Sequence, residues 1–202
     1  MTLRTALLAP LALIVATFPA LAEKIPLAAM SAYLNGIKTA ETTFTQINSD
    51  DTISTGKIYI QRPGRMRFEY DPPDESLVLT SGGMVAIFDT KSNQPPEQYP
   101  LSRTPLNLIL QAQVDLSRAK MVQAHQEVQA ATQVVAQDPD HPEYGSIALM
   151  FTPAPVTLRQ WVVTDDLGKK TTVILGDLAL GADYPPSQFA IQSELRKRGL
   201  AE

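Results

Sequence analysis

Hydrophobic and polar residues alternate along the stretch RPGRMRFEYDPP, which begins at Arg62. Met66, Phe68 and Tyr70 fall on one side of an extended chain, and the charged residues between them fall on the other. A period of two with one apolar side is typical of a half-buried strand. The Pro-Gly pair that follows Arg62 predicts a turn, which leaves the arginine at the end of the preceding strand.

The same period recurs along most of the chain, and short turn signals separate the segments. The pattern predicts strands at Thr42–Asn48, Gly56–Gln61, Arg65–Asp71, Ser76–Ser81, Met84–Asp89, Met121–Gln129, Thr132–Ala136, Ser146–Phe151, Val156–Thr164, Lys169–Leu175 and Phe189–Ile191. Such close spacing favours antiparallel meanders. Two polar, proline-bearing segments between them, Lys91–Pro100 and Asp138–Gly145, are predicted to be loops.

Two segments instead carry a helical pattern. Pro26–Ala40 has apolar residues at helical spacing. A second, short helix is predicted from Thr104 as N-cap and Pro105 at the first helical position. One face of this helix is apolar, through Leu106, Ile109 and Leu110.

These elements together predict an α+β fold in which a large, strongly curved antiparallel sheet has one face covered by the two helices. Because two short helices cover such a sheet poorly, an apolar space between the helices and the sheet is expected. A single domain over residues 23–202 has the size for one sizeable core.

The N-terminal residues are predicted to be a secretory signal peptide, residues 1–22. Arg4 is the only charge before Glu23, the apolar run Ala6–Phe18 follows it, and Ala20-Leu21-Ala22 has the small-x-small form of a cleavage site. The run is too short, and too interrupted by proline, to favour a membrane span. An uncleaved N-terminal anchor is the alternative.

Composition narrows the possible functions. The chain has no cysteine, which excludes disulfides, thiol catalysis and attachment of a lipid to the protein's own cysteine. A formal net charge of −4 disfavours nucleic-acid binding. The sequence therefore predicts an exported protein without a lipid anchor, which would be periplasmic in a Gram-negative host.

No catalytic constellation is evident. The sequence has no Gly-x-Ser-x-Gly elbow, no phosphate-binding glycine loop and no His-Glu-x-x-His motif. His125 lies in a polar stretch and is expected to be exposed. The loop residues Asp138, Asp140, His141 and Glu143 favour a solvated turn over a metal site. We therefore predict a binding protein with no enzymatic activity, no cofactor and no metal.

A basic run, Arg196-Lys197-Arg198, is expected to end a short C-terminal helix. A solvated tail is one interpretation of this run, and an electrostatic docking patch is the other.

Several sequence motifs resemble those of a known protein family. These are Phe44-x-Gln46, Gly56 ahead of a strand that ends in Arg62-Pro63-Gly64, an Arg-Phe-x-Tyr strand that leads into DPPDE, and the hairpin TSGGMVAIFD. Further along come TPLNLIL and TDDLGKKTTVIL. In these features the chain resembles the periplasmic outer-membrane lipoprotein carrier family, LolA.

The resemblance implies an incomplete β-barrel closed by a helical lid, with acyl chains held inside the barrel. It implies that Arg62 is a latch, which bonds to the lid and lets go when cargo enters; an ordinary pair with a surface carboxylate is the alternative. The expected cavity wall consists of Phe44, Met66, Phe68, Tyr70 and Ile87. The expected lid residues are Pro105, Leu106, Ile109 and Leu110. Plain core packing is the alternative for both sets.

The resemblance also implies partners. Acylated lipoproteins would be taken from an inner-membrane ABC-type release complex and handed to an outer-membrane acceptor by a monomeric carrier. Two other functions remain open on the same half-barrel fold. One is a carrier of free lipid, and the other is a regulatory module that senses lipoproteins, which would be expected to carry an additional domain.

Overall fold

A single antiparallel sheet of twelve strands dominates the computed structural model, which describes residues 24–92, 94–118 and 120–200. The predicted signal peptide, residues 1–22, lies outside the described residues. The strands are β1 (Thr39–Ile47), β2 (Ile53–Gln61), β3 (Arg65–Tyr70), β4 (Leu77–Ser81), β5 (Met84–Phe88), β6 (Glu97–Pro100), β7 (Val122–Val128), β8 (Ala131–Gln137), β9 (Ser146–Thr152), β10 (Thr157–Thr164), β11 (Lys170–Leu175) and β12 (Ala179–Leu180). The helices are α1 (Leu27–Gly36), α2 (Asn107–Leu110) and α3 (Ile191–Lys197), and short 3-10 turns lie at Leu101–Arg103, Pro142–Tyr144 and Pro186–Phe189.

The strand order is β6-β5-β4-β3-β2-β1-β11-β10-β9-β8-β7, and β12 pairs with the beginning of β1. The pairing of β1 with β11, which sets Phe44 opposite Leu175, joins the two meanders into one sheet. Within the described part of the chain no ladder joins the edge strands β6 and β7, so the strongly curved sheet stays an unclosed barrel. The predicted fold class is confirmed.

The concave side of the sheet holds the main apolar core. Side chains alternate along β1, where Ala40, Thr42 and Phe44 are buried and the residues between Ala40 and Phe44 are otherwise exposed. Helices α1 and α2 both pack into this core, through Met30 and Leu34 on α1 and the leucines and isoleucine of α2. Among the described residues, no helix is both long and apolar enough to cross a membrane.

The convex side of the sheet is partly covered as well. A second apolar cluster joins strands β4 and β5 to the C-terminal segment and includes Phe88, Phe189 and Leu195. The charged side of β3 was expected to face solvent, yet Arg67 is buried under this segment. It donates to Glu69 Oε1 at 2.6 Å and to the carbonyl of Gln188 at 3.1 Å.

Four predicted elements are corrected by the structure. The first helix ends at Gly36 rather than Ala40, because β1 begins at Thr39 and pairs with β2 from that residue. The predicted loop Lys91–Pro100 contains β6, whose side chains are polar because an edge strand is half exposed.

The predicted strand Phe189–Ile191 is instead a 3-10 turn followed by α3, in which Phe189 packs on the convex side. The second helix begins at Asn107, so Pro105 and Leu106 belong to the turn before it. Thr104 is not its N-cap, since its hydroxyl donates backwards to the carbonyl of Leu101 at 2.9 Å.

Candidate functional site

An aromatic cluster lines the concave interior. The ring of Phe44 meets Phe68 and Tyr70 edge to face, with centroids 5.6 and 5.1 Å apart. Phe68 meets Trp161 of β10 in the same way, at 6.4 Å. Edge-to-face packing places the positive ring edge on the negative ring face, which adds specificity to the apolar contact. Three strands, β1, β3 and β10, thus hold four rings in one rigid wall.

Glycine at position 56 makes room for that wall. Gly56 of β2 lies opposite both Phe44 and Tyr70 in the sheet register. A Cβ atom at this position would lie 2.0 Å from the carbonyl oxygen of Glu69 and 2.8 Å from the Phe44 ring. The close approach lets the Phe44 ring lie across the strand against Tyr70, which explains the glycine in an otherwise β-branched, aromatic strand.

The polar end of Tyr70 is satisfied inside this wall. Its hydroxyl donates to Gln46 Oε1 at 2.8 Å. Burial raises the pKa of Tyr70 to about 12, so the phenol is neutral at physiological pH. The wall therefore has no ionised group at this position, as an apolar ligand requires.

An apolar cavity of about 300 Å³ lies between this wall and the segment that leads into α2. Five of the predicted residues line it: Phe68, Tyr70, Ile87, Pro105 and Leu106. Sequence reasoning missed the contributions of Tyr99, Trp161, Val163 and Val173. The last three alternate along β10 and β11, and their inward orientation could have been inferred once those strands were placed in the curved sheet.

The space deeper in the barrel is filled by the lid, which we define as residues 104–111. Leu108, Ile109 and Leu110 are all buried. Only about 20 Å³ remains free between Ile109, Leu110 and the sheet residues around Met66. Of the predicted wall, Met66 lies in this deep part, and Phe44 is buried behind Phe68 and Tyr70.

Arg62 connects the lid to the first helix. One guanidinium nitrogen, Nη1, donates to the carbonyl of Leu34, and Nη2 donates to the carbonyl of Gln111 at 2.5 Å and to Asn35 Oδ1 at 3.3 Å. Two residues further, the Gly64 amide donates to the carbonyl of Leu110 at 2.9 Å. The turn between β2 and β3 thus holds the C-terminal end of the lid through both side chain and backbone.

The environment of Arg62 makes these bonds strong. Burial lowers its pKa from the ordinary value, yet an arginine stays charged at neutral pH. Its Nε atom is buried and has no partner among the described residues, and no carboxylate of the described chain forms an ion pair with it. The guanidinium therefore makes charge-assisted hydrogen bonds to neutral backbone and amide oxygens, and no carboxylate of the described chain competes for it.

A larger opening of about 760 Å³ lies outside the apolar cavity and shares Tyr99, Thr104, Pro105 and Val163 with it. Its remaining lining is mostly charged: Glu97, Arg103, Glu143, Asp165 and Asp166. The interior therefore leads from a deep apolar region beneath the lid to a polar mouth at the ends of β6, β9 and β10.

The other sequence candidates lie apart from this interior. His141 contacts Glu143 at 3.0 Å and stacks on Tyr144, and in the described chain no three metal-ligating side chains converge. His125 was expected to be exposed, but it is half-buried, with Nε2 2.9 Å from the carbonyl of Ile25. The exposed pattern of β7 hid this contact, because the N-terminal segment crosses that strand.

The C-terminal basic run is partly a structural element. Arg198 donates to Glu194 Oε1 at 3.0 Å, and its guanidinium lies over the Phe88 ring at 5.0 Å. Lys197 also contacts Glu194, at 3.8 Å, whereas the Arg196 side chain donates to Ser193 of the same helix.

Comparison of the chain with known proteins identifies a matching family. Residues 35–192 match the family described as outer membrane lipoprotein carrier protein LolA. An outer-membrane lipoprotein carrier protein of Methylococcus capsulatus is 32% identical over 82 residues, which cover 38% of this chain and 39% of that protein. The match to this relative thus spans about two fifths of its length.

A second relative matches over nearly the whole chain. The outer-membrane lipoprotein carrier protein of Chromobacterium violaceum is 25% identical over 186 residues, or 89% of each chain. Among solved structures, a LolA superfamily protein from Nitrosomonas europaea aligns with a TM-score of 0.46 at 9% identity, over 82% of this chain and 98% of that one. Because the family match extends over most of the sequence, the chain belongs to the outer membrane lipoprotein carrier family, LolA.

Proposed function

We propose that this protein is a non-catalytic carrier that holds the acyl chains of lipoproteins inside its half-barrel and moves them across the periplasm. The observation that carries the proposal is the apolar interior, which has a rigid aromatic wall on one side and a short, latched lid on the other. The family membership agrees with it. Wall residues Met66, Phe68, Tyr70 and Ile87 would contact the acyl chains, and Phe44 would support Phe68 and Tyr70 from behind.

In the empty protein the lid takes the place of cargo. Leu108, Ile109 and Leu110 bury their side chains where acyl chains would lie. The cavity of about 300 Å³ is at the lower end of the range of roughly 300–1,000 Å³ found for small-ligand sites. A lipid with several long chains therefore requires that the lid be displaced, which makes lid closure and cargo binding compete.

Competition between lid closure and cargo binding limits the net affinity for cargo. Burial of acyl chains is worth about 0.8 kcal/mol per methylene, so three long chains with about 45 methylenes would reach on the order of 36 kcal/mol. Non-covalent affinities saturate near 18–21 kcal/mol, and a carrier must also release its cargo. A lid that refills the interior after release lowers the net affinity, since cargo binds only the open state.

Arg62 is suited to hold that lid reversibly. The guanidinium offers five donors in a fixed fork, and here it meets acceptors on both α1 and the lid. Cargo that lifts Gln111 away breaks the bond to the lid but leaves the bond to Leu34, so the arginine stays oriented for closure. One side chain that spans two elements supports the role of latch.

The remaining parts of the proposal concern the cellular route. The predicted signal peptide, residues 1–22, would export the chain to the periplasm. An inner-membrane ABC-type complex would load the carrier, because extraction of acyl chains from a bilayer costs energy. An outer-membrane acceptor would receive the cargo from the monomeric carrier.

The cargo can be identified directly. The protein should be purified from the periplasm of its own host without detergent, and its bound molecules analysed by native mass spectrometry. We expect masses of acylated polypeptides that disappear when the interior is blocked by a Phe68→Arg substitution. Bound phospholipid without any acylated polypeptide would instead indicate a carrier of free lipid.

A further inference from the structure

The chain that follows the lid is fixed to helix α1 by two polar side chains. Asn35 Nδ2 donates to the carbonyl of Val114, and Asn35 Oδ1 accepts from the Val114 amide, both at 2.8 Å. One helical turn earlier, Ser31 Oγ accepts from the Leu116 amide at 3.0 Å and donates to the carbonyl of Leu27 at 2.8 Å. Residues four apart share one helix face, so these side chains form a short track along α1.

The bound residues are spaced to match that track. Val114 and Leu116 are two residues apart, and the amide of each donates to one side chain of the track. Their side chains are nearly completely buried, with 2% and 1% exposure. Hydrogen bonds and apolar burial therefore hold this segment together, and the Asn35 amide imitates a neighbouring strand by bonding both backbone groups of one residue.

The lid is held by a different set of contacts. Its C-terminal end depends on the bonds from Arg62 and Gly64 to the carbonyls of Gln111 and Leu110. Its N-terminal end begins after Leu101, which is buried and whose amide donates to the carbonyl of Gly83 at 2.8 Å. Between the latched end and Val114 lie residues 112 and 113, which are exposed.

We propose that Asn35, supported by Ser31, is the positioning residue that sets the C-terminal hinge of the lid. When Arg62 releases Gln111, residues 112–113 bend, and Asn35 keeps Val114 on α1. Opening is then confined to residues 105–113, and the segment beyond stays in the core. The inference rests on the proposed function in that a carrier needs a lid that opens, but its test needs no cargo.

Asn35 also connects the hinge to the latch. Its Oδ1 atom accepts from both the Val114 amide and Arg62 Nη2. Loss of the Asn35 side chain removes two bonds from the hinge and one acceptor from the arginine. Loss of the Arg62 side chain, in contrast, removes nothing from the bonds between Asn35 and Val114. The two substitutions should therefore release different lengths of chain.

Amide hydrogen exchange of the empty protein, resolved by NMR, separates these cases. In Arg62→Leu we expect the amides of Leu110 and Gln111 to exchange at least about tenfold faster than in the wild type. The Val114 amide should stay within about twofold of its wild-type rate, because this substitution removes bonds at the latch only. In Asn35→Ala we expect the Val114 amide to exchange at least about tenfold faster as well.

Two further variants provide controls. Asn35→Asp keeps the acceptor for the Val114 amide but loses the donor to the Val114 carbonyl. Protection of that amide should therefore lie between those of Asn35→Ala and wild type, which a general loss of packing would not give. Gln113→Ala removes an exposed side chain in the bend and should leave Val114 unchanged. If Val114 and Leu110 exchange equally faster in Arg62→Leu, the hinge does not exist, and the carrier proposal is unaffected. If cargo analysis fails while this pattern holds, the hinge stands without the carrier.

Discussion

Arg62 joins the lid to α1, since it reaches both Leu34 and Gln111 from the turn between β2 and β3. Hydrogen bonds from a charged group contribute about 1.5–3 kcal/mol each. We predict that Arg62→Leu leaves the fold intact, opens the lid and alters cargo transfer. Hydrogen exchange of the lid and a transfer assay with acylated protein measure the two effects.

Arg65→Leu is the matched control for this prediction. Arg65 is exposed and lies three residues away, and among the described residues its side chain bonds only to Gln61 Oε1, at 2.8 Å. It should transfer cargo as the wild-type protein does. Normal transfer by Arg62→Leu would show that the arginine is not a latch.

Gly56 supports the interior wall through the absence of a side chain. We predict that Gly56→Ala lowers the free energy of unfolding by at least about 1–3 kcal/mol, because its Cβ would collide with the backbone of Glu69 and displace Phe44. Urea unfolding measures the change. Gly36→Ala, at a position with open space, should be neutral or stabilising; equal destabilisation of both variants would contradict the role given to Gly56.

At the level of elements, α2 is too short to be stable by itself. An isolated helix needs roughly 12–15 residues, whereas α2 spans Asn107–Leu110. Its position therefore depends on burial of its apolar side chains and on the latch. We therefore expect that the lid can leave the interior without unfolding the sheet.

The lid and the wall should respond in opposite ways to truncation. We predict that Leu110→Ala raises the affinity for an acylated peptide, because a buried Leu→Ala change weakens the closed empty state by about 2–5 kcal/mol. Phe68→Ala should lower that affinity, since the wall contacts cargo. Titration calorimetry with one acylated peptide tests both variants. A lower affinity for Leu110→Ala would mean that the lid does not compete with cargo.

Glu194, on the convex side of the sheet, is expected to make the stability of the fold depend on pH. Burial alone would raise the pKa of Glu194, but the hydrogen bond from Arg198 and nearby positive charges outweigh burial and hold that pKa below its ordinary value. A depressed pKa stabilises the fold above the unfolded-state pKa of about 4.3, and this contribution is lost as the pH falls through the folded-state value.

We therefore expect Glu194→Gln to be less stable than wild type at pH 7. When the pH falls from 5 by roughly one to two units, the variant should lose less stability than the wild type does. Urea midpoints across this range provide the measurement. Glu127→Gln, at an exposed position of β7, serves as control. Parallel curves for wild type and Glu194→Gln would show that the carboxylate does not stabilise the C-terminal helix through its charge.

Local pattern was sufficient to predict most strands, because alternation in β1, β3, β9 and β10 reflects burial on one face of a sheet. It failed where tertiary contacts override it. Arg67 reads as a solvent-facing residue, and only the return of the C-terminal segment over β3 buries it. Phe189 was predicted to lie in a strand for the same reason, because the apolar residues that it packs against belong to the distant strands β4 and β5.

The candidate site was predictable in part. Phe68, Tyr70 and Ile87 follow from alternation and resemblance, and they do line the cavity. Trp161 was not predicted, because its inward orientation depends on how far the sheet curves. Asn35 was not predicted either, since a polar residue near a helix end gives no sign of a partner 79 residues later.

The unclosed barrel as a whole is proposed to exchange its lid for the acyl chains of the cargo. The rim of this barrel is polar, the wall is aromatic, and Ile109 and Leu110 fill most of the deep space. A carrier of this design needs no large permanent cavity. It exchanges one set of apolar groups for another, which leaves little apolar surface exposed to water in either state.

Trp161 allows the most direct test, because it is the only tryptophan of the chain and lies at the junction of the cavity and the deep space. The protein should be loaded with an acylated peptide that carries bromine atoms on its acyl chains, and one-to-one binding confirmed by native mass spectrometry. We expect strong quenching of Trp161 fluorescence, which an identical unbrominated peptide does not cause. A bound brominated peptide that leaves the fluorescence unchanged would contradict the claim that acyl chains enter the half-barrel.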